Sequence, residues 1–600
     1  SYNVAVGRFA MRYNSTGSYC TAVGTQALED NTTSNHNTAM GYFAGASITT
    51  GEENCAFGSV TLATATTASY NTCFGYKCMQ VSTTAANNTA VGWSALRNCT
   101  TGGYNTAVGY NGLNSCTTSV YNTVMGYQAG DSINTGSGHN TAVGYGAGGG
   151  LTTGPFNTAF GALALLQETT GSYNTALGYS AGEHISGTDG NTCIGFKAYE
   201  GSEGNSSGGN NTVLGYEALK SNTTGASNVA IGYYALLSNT TGSNIVAIGQ
   251  QALDAHTTGS ENTAVGYQAL TTMTTASCNT AIGFQAGANT TGGYNLFAGT
   301  EAGENNTTAV RCVFVGSHAG HSHTTGNDCV YVGANSGDAQ TTANSDVMVG
   351  AWAGNEATAG DQTFIGQAAG RYNTTGVANT FVGRQAGMGD STNKLTGDDN
   401  VAVGAYALYG GTTGQQNTAV GRSALASCTT GNYNCALGYR AGDGQTTGID
   451  NTYIGRECGE NVGTNGEVMI YNGTKTARFQ GSDTSWSFSS DGRDKSDYHD
   501  LSLGLNLVNK LRPRKFTWTP RDESRNRMKG DVRAGFIAQE VLSAVEEVDT
   551  ERITTIVDTT DPESFLVSES AMVPMLVKAI QELSTKNEAL EARLAALESK

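Results

Sequence analysis

A repeat with a period of 17 residues runs through about the first 460 residues and constrains the fold more than any other feature. Its glycines mark it, at Gly7, Gly24, Gly41, Gly58, Gly75, Gly92, Gly109 and Gly126. With small insertions it continues to Gly455, which gives 27 copies. A unit this short cannot bury a core by itself, so its copies must stack. The repeat therefore predicts a long β-solenoid rod over residues 1–460 and a mostly β chain.

The best copies of the repeat read Asn-Thr-Ala-Val-Gly-Tyr, as at residues 105–110, 140–145 and 262–267. Adjacent apolar positions such as Ala107 and Val108 point to opposite faces of a strand. One face can fill the solenoid core, and the other needs a covering layer, most simply a second chain. The glycine fits a tight bend or a close backbone approach. The leading asparagines, such as Asn105 and Asn122, are expected to form a ladder.

Aromatic residues follow the strand glycine in many copies, among them Trp93, Tyr110 and Tyr127. We expect these rings to pack between coils. The alternative is that they line a glycan-binding surface.

All 13 cysteines precede residue 460. Several occupy positions where other copies have Ala or Thr, namely Cys55, Cys73, Cys193 and Cys435. We interpret them as small buried apolar residues, as free cysteines often are. Because no clustered, paired spacing is present, the sequence predicts no disulfide framework and no metal site. No cofactor is expected.

The net charge of −18 disfavours a nucleic-acid partner, which would need a basic stripe. No run of 18 apolar residues predicts membrane insertion. The chain starts at Ser1, almost inside a repeat, and we expect a preceding N-terminal region that joins a tail or baseplate component.

Two segments come closest to a known repeat, Asn228-Val229-Ala230-Ile231-Gly232 and Val246-Ala247-Ile248-Gly249. They resemble the Val-Ala-Ile-Gly core in the β-roll head of trimeric autotransporter adhesins. The resemblance implies a parallel homotrimer in which three rolls lie side by side.

The repeat stops after about residue 460, and the composition becomes ordinary from about residue 485. Residues 461–489 are expected to form a short β stalk or linker, and residues 490–600 a separate α+β domain. Its end carries heptads, with Leu576, Leu583, Leu590 and Leu597 at one position and Val573, Ile580, Asn587 and Leu594 at the other. This pattern predicts a trimeric coiled coil over residues 572–600, with Asn587 fixing register and strand number.

Two motifs precede the heptads: Ser489-Ser490-Asp491-Gly492-Arg493-Asp494-Lys495 and Gly535-Phe536-Ile537-Ala538-Gln539-Glu540-Val541. With the terminal coiled coil they resemble the C-terminal intramolecular chaperone of endosialidases and other phage tail fibres and spikes. The resemblance implies trimerisation, assisted folding and self-cleavage before a serine whose partner lysine lies five residues on.

By this resemblance Ser490 and Lys495 are the catalytic pair, and the cut falls between Ser489 and Ser490. Ser489 is the runner-up nucleophile, with a spacing of six to the lysine. The candidate supporting residues are Asp491, Arg493, Gln539 and Glu540.

The chemistry of this pair needs an activated hydroxyl. Ser490 Oγ can close a five-membered ring onto the carbonyl of Ser489, which converts the amide to an ester that water hydrolyses. A neutral lysine can act as the base. Its pKa must be depressed by burial or by nearby positive charge, and trimer formation could supply both.

These features together predict a phage tail fibre or similar virion appendage that folds in the host cytoplasm and binds a host-surface receptor, a glycan or a surface protein. The only enzyme activity expected is single-turnover autoproteolysis. One alternative is a bacterial surface adhesin. Another is a glycan-degrading tailspike, although the longest steps between repeat glycines leave no room for an inserted catalytic domain.

Overall fold

The computed structural model describes residues 2–136, 138–204, 206–459, 465–474, 476–480, 500–517, 532–548, 556–559, 565–568 and 570–599. The chain divides into two compact units, Ser1–Phe488 and Ser489–Lys600. We describe each unit by itself.

The first unit contains 27 three-residue strands, β1 to β27, one for each copy of the repeat. Neighbouring copies pair in parallel with matching repeat positions, so that Thr106, Ala107 and Val108 lie beside Thr123, Val124 and Met125. The predicted β-solenoid is therefore confirmed. The strands are Val4–Val6, Thr21–Val23, Thr38–Met40, Cys55–Phe57, Thr72–Phe74, Thr89–Val91, Thr106–Val108, Thr123–Met125, Thr141–Val143, Thr158–Phe160, Thr175–Leu177, Thr192–Ile194, Thr212–Leu214, Val229–Ile231, Val246–Ile248, Thr263–Val265, Thr280–Ile282, Leu296–Ala298, Val313–Val315, Val330–Val332, Val347–Val349, Thr363–Ile365, Thr380–Val382, Val401–Val403, Thr418–Val420, Cys435–Leu437 and Thr452–Ile454.

The strand glycine allows the close approach that its position predicts. Gly109 has φ +135°, and a Cβ there would lie less than 3.0 Å from the carbonyl oxygen of Gly126 in the next coil. The Gly109 N–H donates to the Val91 carbonyl in the preceding coil at 2.8 Å. No other residue type fits this backbone without moving the neighbouring coil.

Left-handed residues turn the chain at several points in each coil. Asn111, Leu113 and Tyr121 have φ values of 56°, 50° and 59°. Each such conformation costs a non-glycine residue roughly 1–2 kcal/mol. The coil-to-coil hydrogen bonds and the buried side chains must offset this strain, so an isolated coil would not hold its shape.

The predicted asparagine ladder runs inside the solenoid. The Asn122 backbone N–H donates to Asn105 Oδ1 at 2.9 Å, and the Asn105 N–H donates to Asn88 Oδ1 at 2.9 Å. Asn105 Nδ2 also donates to the Ser119 carbonyl at 2.9 Å. The ladder therefore satisfies backbone groups in the interior that no strand partner reaches.

The middle residue of every strand from β2 to β27 is buried in the core, and in many coils its size is balanced by a second position. Many coils carry a small residue at the middle position, such as Ala107, and a leucine six positions later, such as Leu113. From Phe297 to Phe381 the middle residue is large, and glycine takes the later position. A Cβ at Gly320 would lie within 3.0 Å of the Phe314 ring. A large side chain at one of these two positions is thus accompanied by a small one at the other, which keeps the core of the coil filled.

The third residue of each strand points outward and is apolar throughout, from Val6 to Ile454. Many of these side chains are half-exposed, and Met125 and Phe160 are 51% exposed in the single chain. We call this row the outer stripe. Of the two faces that the sequence predicts to be buried, the single chain buries only the inner one.

The aromatic rings that follow the strand glycine stack from coil to coil, as expected, but on the outside. The Tyr110 and Tyr127 ring centroids lie 5.0 Å apart with an interplanar angle of 7°, and the rings are 40% and 44% exposed. A second stack joins Tyr104 to Tyr121 at 4.9 Å. Because the ring faces cover one another, mainly edges face outward.

The cysteines all carry free thiols. Cys73 and Cys193 lie at the middle position of their strands and are fully buried, which confirms their interpretation as small core residues. The interpretation is wrong for Cys435, which is exposed, and holds only in part for Cys55, which is half-buried. Both occupy the first strand position, and that position points outward.

A hairpin follows the last coil. Strand β28, Glu467–Tyr471, pairs in parallel with β27, and β29, Thr476–Gln480, pairs antiparallel with β28. Both strands lie within residues 461–489, where the sequence predicts a short β stalk or linker.

The second unit is a small α+β structure, as predicted. It contains α1 (Leu505–Val508), β30 (Arg514–Thr517), β31 (Val532–Gly535), α2 (Ala538–Val548), β32 (Val557–Asp558), β33 (Leu566–Val567), a 3₁₀ turn (Ser570–Met572) and α3 (Val573–Glu598). Strands β30 and β31 form an antiparallel hairpin, as do β32 and β33. The core of this unit comprises Leu503, Leu507, Val541, Ala544, Val545, Ile556, Val557, Met572 and Met575. Among the described residues, no helix is both long and apolar enough to cross a membrane.

Candidate functional site

The Gly535–Val541 motif spans the end of a strand and the start of a helix. Gly535 closes β31, and Ala538 begins α2. Phe536 packs against the core of the unit, and Val541 is buried within it. The apolar residues of the motif therefore anchor the first turn of α2 in the core of this unit, and its polar residues are left at the surface of that turn.

Glu540 and Arg514 form the ion pair of this site. Arg514 Nε donates to Glu540 Oε2 at 2.9 Å, and Nη2 donates to Oε1, so the contact is bidentate. The hydrogen bond from Arg514 lowers the pKa of the Glu540 carboxyl, and Glu540 raises the pKa of Arg514. The pair ties β30 to α2 and keeps Glu540 ionised, which suits a positioning role better than a proton-transfer role.

Of the other predicted site residues, only Gln539 is described, and its side chain is exposed beside Glu540. Ser489, Ser490, Asp491, Arg493 and Lys495 lie outside the described residues. The predicted catalytic pair, the cut and the roles of Asp491 and Arg493 therefore stay predictions.

A contact that the sequence did not reveal joins α3 to α1. The Leu505 N–H, at the start of α1, donates to Glu582 Oε2 at 2.8 Å. The carboxylate caps the N-terminus of a four-residue helix, where unpaired N–H groups favour negative charge. Since 77 residues separate the partners, no local signal could have indicated this contact.

Helix α3 uses two different faces. Met575 and Ala579 are buried against the rest of the unit. The heptad positions stay exposed in the single chain, with Ile580 at 66% and Leu583 at 56%. We call the heptad positions the α3 seam. It forms an apolar strip that the described residues of its unit leave uncovered.

Asn587 lies within this seam and donates from Nδ2 to Glu591 Oε1 at 3.2 Å along the same helix. The amide thus has an intrahelical partner in the single chain.

Comparison with family models gives one match. Residues 490–550 match the family described as the chaperone of endosialidase. The matched segment begins at Ser490 and includes both β30 and β31, the Arg514–Glu540 pair and all of α2. A comparison with curated proteins and a comparison with solved structures found no match. The C-terminal unit thus carries a segment of the endosialidase-chaperone type, downstream of a 27-coil β-solenoid.

Proposed function

We propose that this chain is a phage tail fibre or related virion appendage. Three chains build a parallel solenoid rod that attaches to a host-surface receptor, and the C-terminal unit is an intramolecular chaperone. The match of residues 490–550 to the endosialidase-chaperone family carries this proposal. The rod folds in the host cytoplasm and joins the tail or baseplate through an N-terminal region. It becomes part of the virion.

The outer stripe supports assembly into a homotrimer. Its side chains are apolar in all 27 strands, although many are half-exposed in the single chain. Covering about 40 Å² of apolar surface in each coil contributes roughly 1 kcal/mol per coil. Summed along the stack this is a large driving force, and a second and third copy supply the matching surface at the same spacing.

The repeat also creates a problem of register that a chaperone solves. A slip of one coil between chains loses only one coil's contacts, because each coil resembles the next. The α3 seam can align three C-termini before the rods associate. Association then proceeds from that end toward the N-terminus. Removing the chaperone afterwards leaves a rod that is kinetically trapped.

Cleavage follows assembly in this account. Ser490 Oγ gives its proton to Lys495 Nζ and attacks the carbonyl carbon of Ser489. The C–N bond to Ser490 breaks, and its nitrogen takes the proton from Lys495, which leaves an ester and a free amine. Water then hydrolyses the ester, giving a carboxylate on Ser489 and restoring the Ser490 hydroxyl. The lysine acts as base and then as acid.

The test is the intact mass of the full chain after expression, beside three variants. We expect wild type to split after Ser489, Ser490→Ala and Lys495→Met to remain whole, and Ser489→Ala to split at the same bond. The Ser489→Ala variant separates the two candidate nucleophiles. If Ser490→Ala were also cut at this bond, the assigned mechanism would be wrong.

A further inference from the structure

Three side chains of the metal-ligating type meet inside the solenoid, away from the chaperone unit. Cys312, His323 and Cys329 each offer one ligand atom, and these atoms all lie within 4.8 Å of one another. All three side chains are fully buried. Two thiols and an imidazole in an apolar interior are an unusual group, since buried polar side chains elsewhere in this rod are mostly amides.

The two cysteines interrupt the asparagine ladder. Cys312 and Cys329 stand in successive coils, each just before its strand, where Asn295 stands one coil earlier. The Cys312 N–H still donates to Asn295 Oδ1 at 2.9 Å. A thiol cannot replace the two-way hydrogen bonding of an amide, so these two coils give up ladder bonds that most of the rod retains.

The imidazole of His323 lies between the two thiols along the chain and close to both in space. Its Nε2 is 2.7 Å from the Gly326 carbonyl oxygen, and Cys312 Sγ is 3.4 Å from the same oxygen. Its Nδ1 is buried and has no hydrogen-bond partner among the described residues. Because the Gly326 carbonyl accepts the proton on Nε2, Nδ1 is the nitrogen left to bind a metal, as neutral imidazole does.

We propose that Cys312, His323 and Cys329 bind a structural zinc ion within the rod. Zn²⁺ prefers tetrahedral sets of thiolate and imidazole, with Zn–S distances of about 2.3 Å. Ligand atoms around such an ion lie about 3.5–3.8 Å apart. The observed spacing contracts to this by side-chain movements of about 1 Å.

Charge and protons balance at this site. Both thiols are buried, and a metal ion must displace their protons to bind them. When Zn²⁺ binds, both thiols lose their protons and two protons leave. Two thiolates then neutralise the ion, so no net charge is buried.

The site has no open path from solvent, because its three side chains are fully buried. The ion must therefore enter while the coils stack. Zinc would be retained against chelators in the folded rod and taken up only when it is present during folding.

The repeat itself supplies the residues for variants that test the site. Cys312→Asn with Cys329→Asn restores the ladder residue, and His323→Asn installs the residue found one coil earlier at Asn306. The matched control is Cys99→Ser with Cys116→Ser. That pair of cysteines is also buried in successive coils, but among the described residues it belongs to no group of metal-ligating side chains. Serine fits this repeat position, because Ser82 occupies it one coil before Cys99.

The full chain and these variants are expressed with added Zn²⁺, purified with a chelator, and analysed for zinc per chain. We expect about one ion in wild type and in the control, and at least a tenfold loss in both the double-Asn and the His323→Asn variants. Parallel samples of wild type and the two site variants are folded with Co²⁺. Wild type should show a thiolate-to-metal charge-transfer band, and the two site variants should not.

Three results would overturn the proposal: zinc absent from wild type, zinc unchanged in the two site variants, or a Cys312–Cys329 disulfide in the wild-type protein. The cobalt spectrum of wild type decides the matter even if a variant folds poorly, because absence of the thiolate band excludes coordination by these cysteines.

Discussion

The carbonyl oxygen of Gly126, in the next coil along the rod, occupies the space that a side chain on Gly109 would take. We predict that Gly109→Ala destabilises the rod by roughly 2–4 kcal/mol, because the methyl group clashes with backbone and the φ of +135° is strained for alanine. Thermal unfolding of the purified rod measures the effect.

Gly112→Ala is the control in the same coil. A Cβ there would meet its nearest atom at 3.4 Å, in ordinary contact, and its φ lies outside the left-handed region. It should change stability little. Equal losses in both variants would contradict the close-approach account of the strand glycine.

The ladder makes a second prediction, at Asn105. Asn105→Ala removes the acceptor of the Asn122 backbone N–H and the donor to the Ser119 carbonyl, both in the interior. We expect a loss of about 1–3 kcal/mol and faster amide exchange at Asn122. Asn98→Ala, at a half-buried position off the ladder, should leave both quantities nearly unchanged.

Much of the rod could be predicted from the sequence because stacking repeats the same local contacts in every coil. The period gave the strands, the role of glycines such as Gly109 and the ladder through Asn105. The period does not predict which side chains at different repeat positions contact one another. Phe314 and Gly320 exchange volume within a coil, and Cys312 and His323 lie close together within another pair of positions of that coil; neither relation has a signal in a single copy.

The C-terminal unit shows the same division. The motif around Glu540 and the heptads of α3 are local patterns and could be read directly. The partners of Glu540 and Glu582, which are Arg514 and the Leu505 N–H, lie 26 and 77 residues away, so only tertiary structure reveals them.

A third prediction concerns the Arg514–Glu540 pair. Arg514 lowers the pKa of Glu540, so the pair stabilises the unit above the carboxyl's ordinary pKa of about 4.3, and this contribution is lost as pH falls through the lower folded value. Glu540→Gln should therefore reduce the stability of the unit at neutral pH, and the difference from wild type should vanish in acid.

The charge-reversed double variant Arg514→Glu with Glu540→Arg separates positioning from chemistry. We expect it to restore both the stability and the self-cleavage that either single reversal reduces. If stability returned but cleavage did not, Glu540 would have a role beyond holding α2 against β30.

The α3 seam makes a fourth prediction, on assembly. Leu583→Asp places a charge at an exposed heptad position and should prevent trimer formation, with little effect on the fold of the single unit. Thr585→Asp, off the seam on the same helix, should assemble normally. Light scattering of the full chains gives the mass. A trimer with Leu583→Asp would rule out the seam as the assembly face.

The central claim is that a C-terminal chaperone assembles three rods and then cuts itself off. Native mass spectrometry of the wild-type chain after folding in cells tests it most directly. The account predicts a complex of three rods that each end at Ser489. A monomer of the intact 600-residue chain would contradict it.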